Sequence, residues 1–225
     1  MQSEEMRRLI EKGDVEGVRR ALELNPALAN EPIFWVLNQS NTSDPLHYLS
    51  DCVGQGWLTD AKASDIARVL LAHGALIEGN ENRESPLIAS VSLGAESVSQ
   101  LLVEAGAALE RTSVFGARAL HWAAWMGSLS TVKCLVVHGS AIEARCSKFG
   151  ATPLFWAVHG YGPKGPMPKK DQIGAAKILI EAGATINSAN NEGLSAMELS
   201  QQCAGRDMFE LLRKHMTQAS RIRTP

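Results

Sequence analysis

The sequence is poor in aromatic residues, has few cysteines and lacks any long apolar run. Only 5% of its residues are aromatic, and its four cysteines form no C-x-x-C pair, so the spacing of a usual zinc site is absent. No apolar stretch approaches the roughly 18 residues that a membrane span needs. The formal net charge is −2, so no global field attracts nucleic acid or an anionic membrane. These absences argue against a zinc protein, a membrane protein and a general nucleic-acid binder.

The start of the chain and its cysteines predict a location. The chain begins Met-Gln-Ser-Glu-Glu, which is polar and acidic and differs from a secretory signal. We therefore expect a cytoplasmic protein whose cysteines are reduced and mostly packed as small apolar groups. These cysteines are Cys52, Cys134, Cys146 and Cys203.

A short phrase built around Pro-Leu or Ala-Leu recurs along the chain. Its leucine stands at 46, 87, 120 and 154, with Met197 in the fifth place, so the steps are 41, 33, 34 and 43 residues. Thr or Ser before the proline can cap a helix, and proline is tolerated at the first helical position. The phrase therefore predicts the first helix of each repeat.

A second phrase follows downstream, an apolar helical stretch that ends in glycine and a small residue. Its glycines are Gly74, Gly106, Gly139 and Gly183, each placed as a C-cap just past a second helix. Leucine and glycine are 19 residues apart in two repeats, but 28 and 29 apart in the two others. The extra residues therefore lie between the first and second helices of those two repeats.

These phrases resemble the ankyrin-repeat family over about residues 4–216. Two of the steps match the ankyrin period. The resemblance implies an all-α fold, a solenoid of stacked helix-turn-helix pairs with short hairpin fingers between them. The resembling segments are Pro-Leu-His at 45–47, Pro-Leu at 86–87, Leu-His-x-Ala-Ala at 120–124 and Thr-Pro-Leu at 152–154.

The resemblance also implies one ankyrin-repeat domain over residues 1–225. We interpret the unassigned segment 31–43 as an atypical first finger, with Phe34 and Trp35 packed against the N-terminal cap. The expected repeats are 3–31 (a cap), 44–80, 85–114, 118–148, 152–191 and 195–216 (a cap), with inserts near 51–60 and 159–170.

The second insert contains a G-x-G-x-x-G spacing at Gly160, Gly162 and Gly165. A dinucleotide-binding turn needs a strand before it and a helix N-terminus at its third glycine. Here a helix is predicted before it, and Pro163 and Pro166 remove backbone donors that a phosphate would need. We therefore expect a surface loop and no cofactor.

Each insert is expected to add a loop and to lengthen the following helix by about a turn. We expect that helix to begin at Thr59-Asp60 after the first insert and at Pro168 after the second. The second insert also carries a basic group beside Tyr161 that would contact an acidic partner, or else be merely solvated. Its lysines are Lys164, Lys169 and Lys170.

Large aromatic side chains gather in two neighbouring repeats and predict an interaction surface. Phe115 and Phe149 hold matching places in two fingers, and Trp125 and Met126 follow the Ala-Ala pair where the family's first helix faces its concave groove. For Trp122 and Trp156 the favoured role is packing between repeats, ahead of partner binding. The other expected partner-binding residues are His159, Arg111 and Arg145.

The resemblance assigns the histidines of the Leu-His phrases a structural role. His47 and His121 match the family histidine that bonds the finger backbone. His73, His138 and His215 lie near helix C-termini, which is a capping position.

The favoured function is a non-catalytic, monomeric adaptor, inhibitor or regulatory subunit that binds another protein through the concave face. No Ser/His/Asp, paired-carboxylate or metal-binding pattern is visible, and no membrane or nucleic-acid partner is expected. One alternative is a small-molecule or sugar receptor that uses the Trp cluster and the insert loop. Another is nucleic-acid binding through Lys164, Lys169, Lys170, Arg221 and Arg223.

Overall fold

The computed structural model describes residues 2–34, 42–80, 84–166, 170–203 and 205–222. The chain forms two compact units, Met1–Ala108 and Leu109–Pro225. In the described ranges each unit contains three pairs of α-helices, which agrees with the all-α arrangement of helix pairs expected from the sequence. No helix in these ranges combines the length and the apolar character needed to cross a membrane.

The first unit begins with a helical pair and continues with two further helical pairs. A short 3-10 helix, Pro26–Ala29, and a two-stranded antiparallel sheet, β1 (Ile33–Phe34) with β2 (Thr42–Ser43), separate the first pair from the second. The helices are α1 (Gln2–Glu11), α2 (Val15–Leu24), α3 (Pro45–Gly54), α4 (Asp60–Ala72), α5 (Pro86–Ser92) and α6 (Glu96–Glu104).

The second unit repeats the same arrangement. In both units the first helices of successive pairs pack on each other, and so do the second helices. The helices of the second unit are α7 (Ala119–Met126), α8 (Leu129–Val137), α9 (Pro153–Tyr161), α10 (Gln172–Glu181), α11 (Ala196–Cys203) and α12 (Arg206–Ile222).

The repeated Pro-Leu phrase starts the first helices, as predicted. Ser85 Oγ accepts a hydrogen bond from the Ile88 N–H at 3.3 Å, and Thr152 Oγ1 accepts one from the Phe155 N–H at 3.4 Å. These caps satisfy donors that the first turn of a helix leaves open. The leucines that follow, at 46, 87, 120 and 154, are buried in the core.

The glycine phrase ends the second helices, also as predicted. Gly74 has φ 84°, a left-handed conformation that glycine adopts without steric cost. Its N–H bonds the Leu71 carbonyl at 3.1 Å, and the Ala75 N–H bonds the Leu70 carbonyl at 3.0 Å. This pair of bonds is the Schellman motif, which satisfies the last carbonyls of the helix.

A side-chain acceptor at the start of one finger binds the backbone of the next finger. We call the segments before α7, α9 and α11 the α7 finger (109–118), the α9 finger (138–152) and the α11 finger (182–195). Glu110 accepts from the Ala141 N–H at 3.1 Å, and Glu143 accepts from the Thr185 N–H at 2.7 Å. In the first unit, Glu78 does the same for Ala108 at 2.7 Å and Asn30 for Leu76 at 2.7 Å. We call these four bonds the finger ladder.

The structure corrects the interpretation of segment 31–43. Residues 35–41, including Trp35, lie outside the described ranges. Phe34 is not packed against the cap, because its side chain is 53% exposed, whereas Ile33 is fully buried. Neighbouring side chains of a strand point to opposite faces, so burial of Ile33 turns Phe34 outward.

The two inserts have different effects on the helix that follows them, whereas both were expected to lengthen it. After the first insert Thr59 caps α4, as predicted, and α4 has 13 residues where α6 has 9. After the second insert the helix begins at Gln172 rather than Pro168, which is not described, and it has only 10 residues. The Asp171 side chain accepts from the Gly174 N–H at 2.7 Å and sets this later start.

The finger ladder predicts a measurable loss of stability on removal of one acceptor. We expect Glu143→Ala to lower the free energy of unfolding by about 1 kcal/mol, because the Thr185 N–H loses its protein partner in a partly solvated position. Glu143→Gln keeps an acceptor oxygen and should cost less than half as much. Urea unfolding measures both values.

Glu192→Ala is the matched control, since Glu192 is an exposed carboxylate of the α11 finger. It removes the same charge without removing a ladder bond. Equal losses for Glu143→Ala and Glu192→Ala would contradict the structural role of the ladder.

Candidate functional site

Five aromatic side chains of the second unit form one contiguous group, which we call the aromatic cluster. Phe115 lies in the α7 finger, Phe149 in the α9 finger, Trp122 and Trp125 on α7, and Trp156 on α9. The sequence placed all five among the expected partner-binding residues. Ring contacts bring these five together.

Trp122 is the centre of the aromatic cluster. Its ring centroid is 5.2 Å from that of Trp156, 5.9 Å from that of Trp125 and 6.0 Å from that of Phe115. The two Trp–Trp contacts are edge to face, with interplanar angles of 71° and 89°, an arrangement that the ring quadrupole favours. The Trp122 indole N–H also donates to Ser113 Oγ at 3.2 Å.

The two phenylalanines extend this group across adjacent fingers. The Phe115 and Phe149 centroids are 6.0 Å apart, and Phe149 is 6.5 Å from Trp156. Aromatic contacts of this kind contribute about 0.5–1.5 kcal/mol each beyond their burial. The cluster therefore holds its own rings in place before any partner binds.

A close approach of α9 to α7 positions the tryptophans. A Cβ at Gly160 would lie on the Trp125 carbonyl oxygen, so only glycine permits this packing. The buried Gln172 side chain donates from Nε2 to the Trp125 and Met126 carbonyls at 3.3 and 3.4 Å. These bonds satisfy carbonyls that the C-terminus of α7 leaves open.

Backbone bonds between neighbouring fingers position the phenylalanines. The Lys148 N–H donates to the Phe115 carbonyl at 3.1 Å, and the Asn191 N–H donates to the Phe149 carbonyl at 2.9 Å. Each phenylalanine is thus bonded through its own carbonyl to the following finger. This register keeps the two rings side by side.

Arg145 forms hydrogen bonds that link the α9 finger to the α11 finger. Its guanidinium donates to the Gly150 carbonyl at 2.7 Å, to the Ala189 carbonyl, and to Ser188 Oγ at 3.1 Å. The sequence analysis named this arginine among the expected partner-binding residues. The structure places its donors largely on the finger backbone, while its charge stays at the surface.

His121 packs against the aromatic cluster as a neutral side chain. The Arg118 N–H donates to Nδ1 at 3.1 Å, so Nε2 carries the proton and donates to the Ala151 carbonyl at 3.1 Å. Burial lowers the pKa of His121 to about 4. Its ring also lies edge-on to Trp156, with centroids 5.6 Å apart. These bonds fit the structural role that the resemblance implied.

Exposure differs among the five rings. Phe149 is 41% exposed, Trp156 only 9%, and Phe115, Trp122 and Trp125 are half-buried. The cluster therefore exposes Phe149 to solvent. We call the three half-buried rings of Phe115, Trp122 and Trp125 the aromatic base, and the buried Trp156 contributes mainly to packing.

Lys148 is the site residue that the sequence analysis missed. Its Nζ lies 4.9 Å from the Phe115 centroid and 5.5 Å from the Phe149 centroid. A cation over an aromatic face is attracted by the ring quadrupole. The available signal was its position directly before Phe149 in the finger sequence Arg-Cys-Ser-Lys-Phe-Gly-Ala.

The remaining expected residues, Met126, Arg111 and His159, lie in the same unit. Met126 ends α7 and is half-buried, Arg111 is half-buried in the α7 finger, and His159 is exposed on α9.

The second insert is a loop that follows a helix. Tyr161 ends α9 and Gly162 caps it, so the first glycine of the spacing, Gly160, lies inside a helix and no strand leads into the loop. Lys164 and Lys170 are exposed and Tyr161 is half-buried, while Lys169 lies outside the described residues. Arg223 and the side chain of Arg221 lie outside them too.

Buried polar groups of the first unit serve packing. The Tyr48 hydroxyl donates to Glu11 Oε1 at 2.6 Å, and burial raises the pKa of Tyr48. Burial also raises the pKa of the Cys52 thiol to about 12, so it is no thiolate nucleophile at neutral pH. Within the described ranges, no group of three or more His, Cys, Asp or Glu is placed to hold a metal ion.

Neutral His121 predicts a pH dependence of stability. Its folded pKa lies below the ~6.5 of an exposed imidazole, so the unfolded chain binds this proton more tightly. The free energy of unfolding should therefore fall by about 3 kcal/mol as the pH drops from about 6.5 to about 4. Urea unfolding across this range, beside His121→Leu, measures the contribution. An unchanged pH slope in the variant would contradict it.

Comparison with known proteins agrees with this geometry. The family model "Ankyrin repeats (3 copies)" matches residues 100–190 and 120–222, which together cover more than half of the chain. No curated protein matches it. The matched region contains the finger-and-helix repeats that carry the aromatic cluster, and the chain belongs to the ankyrin-repeat family.

Proposed function

We propose that this chain is a non-catalytic module that binds another protein through the aromatic cluster. Ankyrin repeats are generally protein–protein interaction modules. The observation that carries the proposal is the contiguous set of five rings that reaches solvent at Phe149. Its role would be that of a cytoplasmic adaptor, inhibitor or regulatory subunit, acting as a monomer.

The cluster has the properties of a binding hot spot. Hot spots are enriched in large aromatic side chains that lie in a well-packed setting and lose their remaining water on binding. Here a half-buried base of Trp122, Trp125 and Phe115 surrounds the exposed Phe149. A partner side chain that covers Phe149 would complete the exclusion of water from this base.

Preorganisation supports the same conclusion. Binding normally costs free energy, because flexible side chains and loops become ordered. In this unit ring contacts hold the aromatic side chains, and backbone bonds join the fingers. Fewer side chains and loops therefore have to become ordered when a partner binds. More of the favourable contact free energy then contributes to the affinity.

The proposal predicts that Phe115→Ala/Phe149→Ala abolishes partner capture. Loss of two aromatic anchors should weaken binding by about 2–4 kcal/mol, roughly 30- to 1000-fold. The measurement is affinity capture from a lysate of the source organism, followed by titration of the captured protein against both forms. Val137→Ala is the matched control, because Val137 is an apolar residue, 75% exposed, on α8 of the same unit.

The outcomes separate the competing functions. A protein retained by wild type and Val137→Ala, but lost by the double variant, supports the proposal. Equal retention by all three proteins would show that the cluster is not the binding site. A shift of tryptophan emission on addition of sugars, with no protein retained, would instead favour a small-molecule receptor.

A further inference from the structure

The α9 finger carries two positive charges that have no carboxylate partner among the described residues. Arg145 bonds two backbone carbonyls and one hydroxyl. Lys148 has its ammonium over two phenylalanine rings. Neither side chain forms an ion pair within the described ranges, so both charges remain available at the surface next to Phe149.

Two acidic side chains of the α7 and α9 fingers are bonded to other groups of the protein. Glu110 accepts from the Ala141 N–H and pairs with Arg118 at 2.6 Å. Glu143 accepts from the Thr185 N–H and from the Ser188 hydroxyl, at 2.7 and 3.4 Å. The finger ladder thus holds both carboxylates at backbone N–H groups, and among the described residues neither forms an ion pair with Lys148 or Arg145.

The charge and the rings form one composite surface. Lys148 is exposed, so its ammonium can face the two rings on one side and a partner's carboxylate on the other. In the α11 finger Glu192 holds the place of Phe149, and the Asn191 N–H bonds the Phe149 carbonyl. The surface of positive charge and aromatic rings therefore ends at that finger.

We propose that the partner segment bound by the aromatic cluster is an acidic peptide segment with a large apolar side chain. The apolar side chain packs on Phe149 and Phe115, while a neighbouring Asp or Glu pairs with Lys148 and Arg145. Complementary charge steers such a segment to the site and fixes its register. This inference rests on the proposed function and names the chemistry of the partner.

The test is selection from a random 12-residue peptide display library on the full chain, with depletion of the library on Phe115→Ala/Phe149→Ala. We expect the enriched peptides to combine Asp or Glu with Leu, Phe or Trp. The affinity of one enriched peptide is then measured by fluorescence anisotropy. Lys148→Glu should weaken it about tenfold or more, and Lys148→Gln by less. Lys133→Glu, an exposed charge reversal on α8, should leave it unchanged.

Each outcome decides the inference. Peptides that depend on the phenylalanines without an acidic bias, or that ignore Lys148→Glu, would overturn the inference and leave the proposed function standing. If no peptide distinguishes the wild type from the double variant, both fail. A labelled oligothymidylate that binds more tightly than the selected peptides and loses affinity in Lys148→Glu would assign the surface to single-stranded nucleic acid and also overturn the inference.

Discussion

The hydrogen bond from a side-chain acceptor to the next finger's backbone is the interaction on which the site depends. A single ankyrin repeat cannot bury its own apolar face, so its helices rely on stacking with neighbours. The fingers lie outside these helices and have a link of their own besides the contact of Phe115 with Phe149. Glu110 and Glu143 supply it in the second unit, as Asn30 and Glu78 do in the first.

This link determines what the surface presents. Together with the backbone bonds from the Lys148 and Asn191 N–H groups to the carbonyls of Phe115 and Phe149, it holds the fingers in a register in which these two rings lie side by side. Its acceptors Glu110 and Glu143 bond backbone N–H groups, and among the described residues neither forms an ion pair with Lys148 or Arg145. The ladder, the backbone bonds between fingers and the ring contacts thus act together to hold the aromatic cluster with Lys148 beside it.

Features with a local cause were predictable from the sequence. The Pro-Leu and glycine phrases fix helix ends through caps and backbone conformation, and they located α5, α9 and the Schellman turn at Gly74. Features set by tertiary contacts were not. Phe34 faces solvent because Ile33 fills the core, and Arg145 is drawn to the backbone of a finger about 40 residues away. The cation over the two phenylalanines depends on the pairing of two fingers, which no single motif encodes.

Backbone amide hydrogen exchange followed by NMR tests the central claim, that the fingers are held in register before a partner binds. The decisive amides are those of Ala141, Lys148, Thr185 and Asn191, which donate between fingers. The account predicts that they exchange at least about a hundredfold more slowly than unstructured amides, while free amides elsewhere in the same fingers exchange fast. Exchange of these four amides at the rate of an unstructured chain would contradict it, because the aromatic cluster would then lack the frame that positions it.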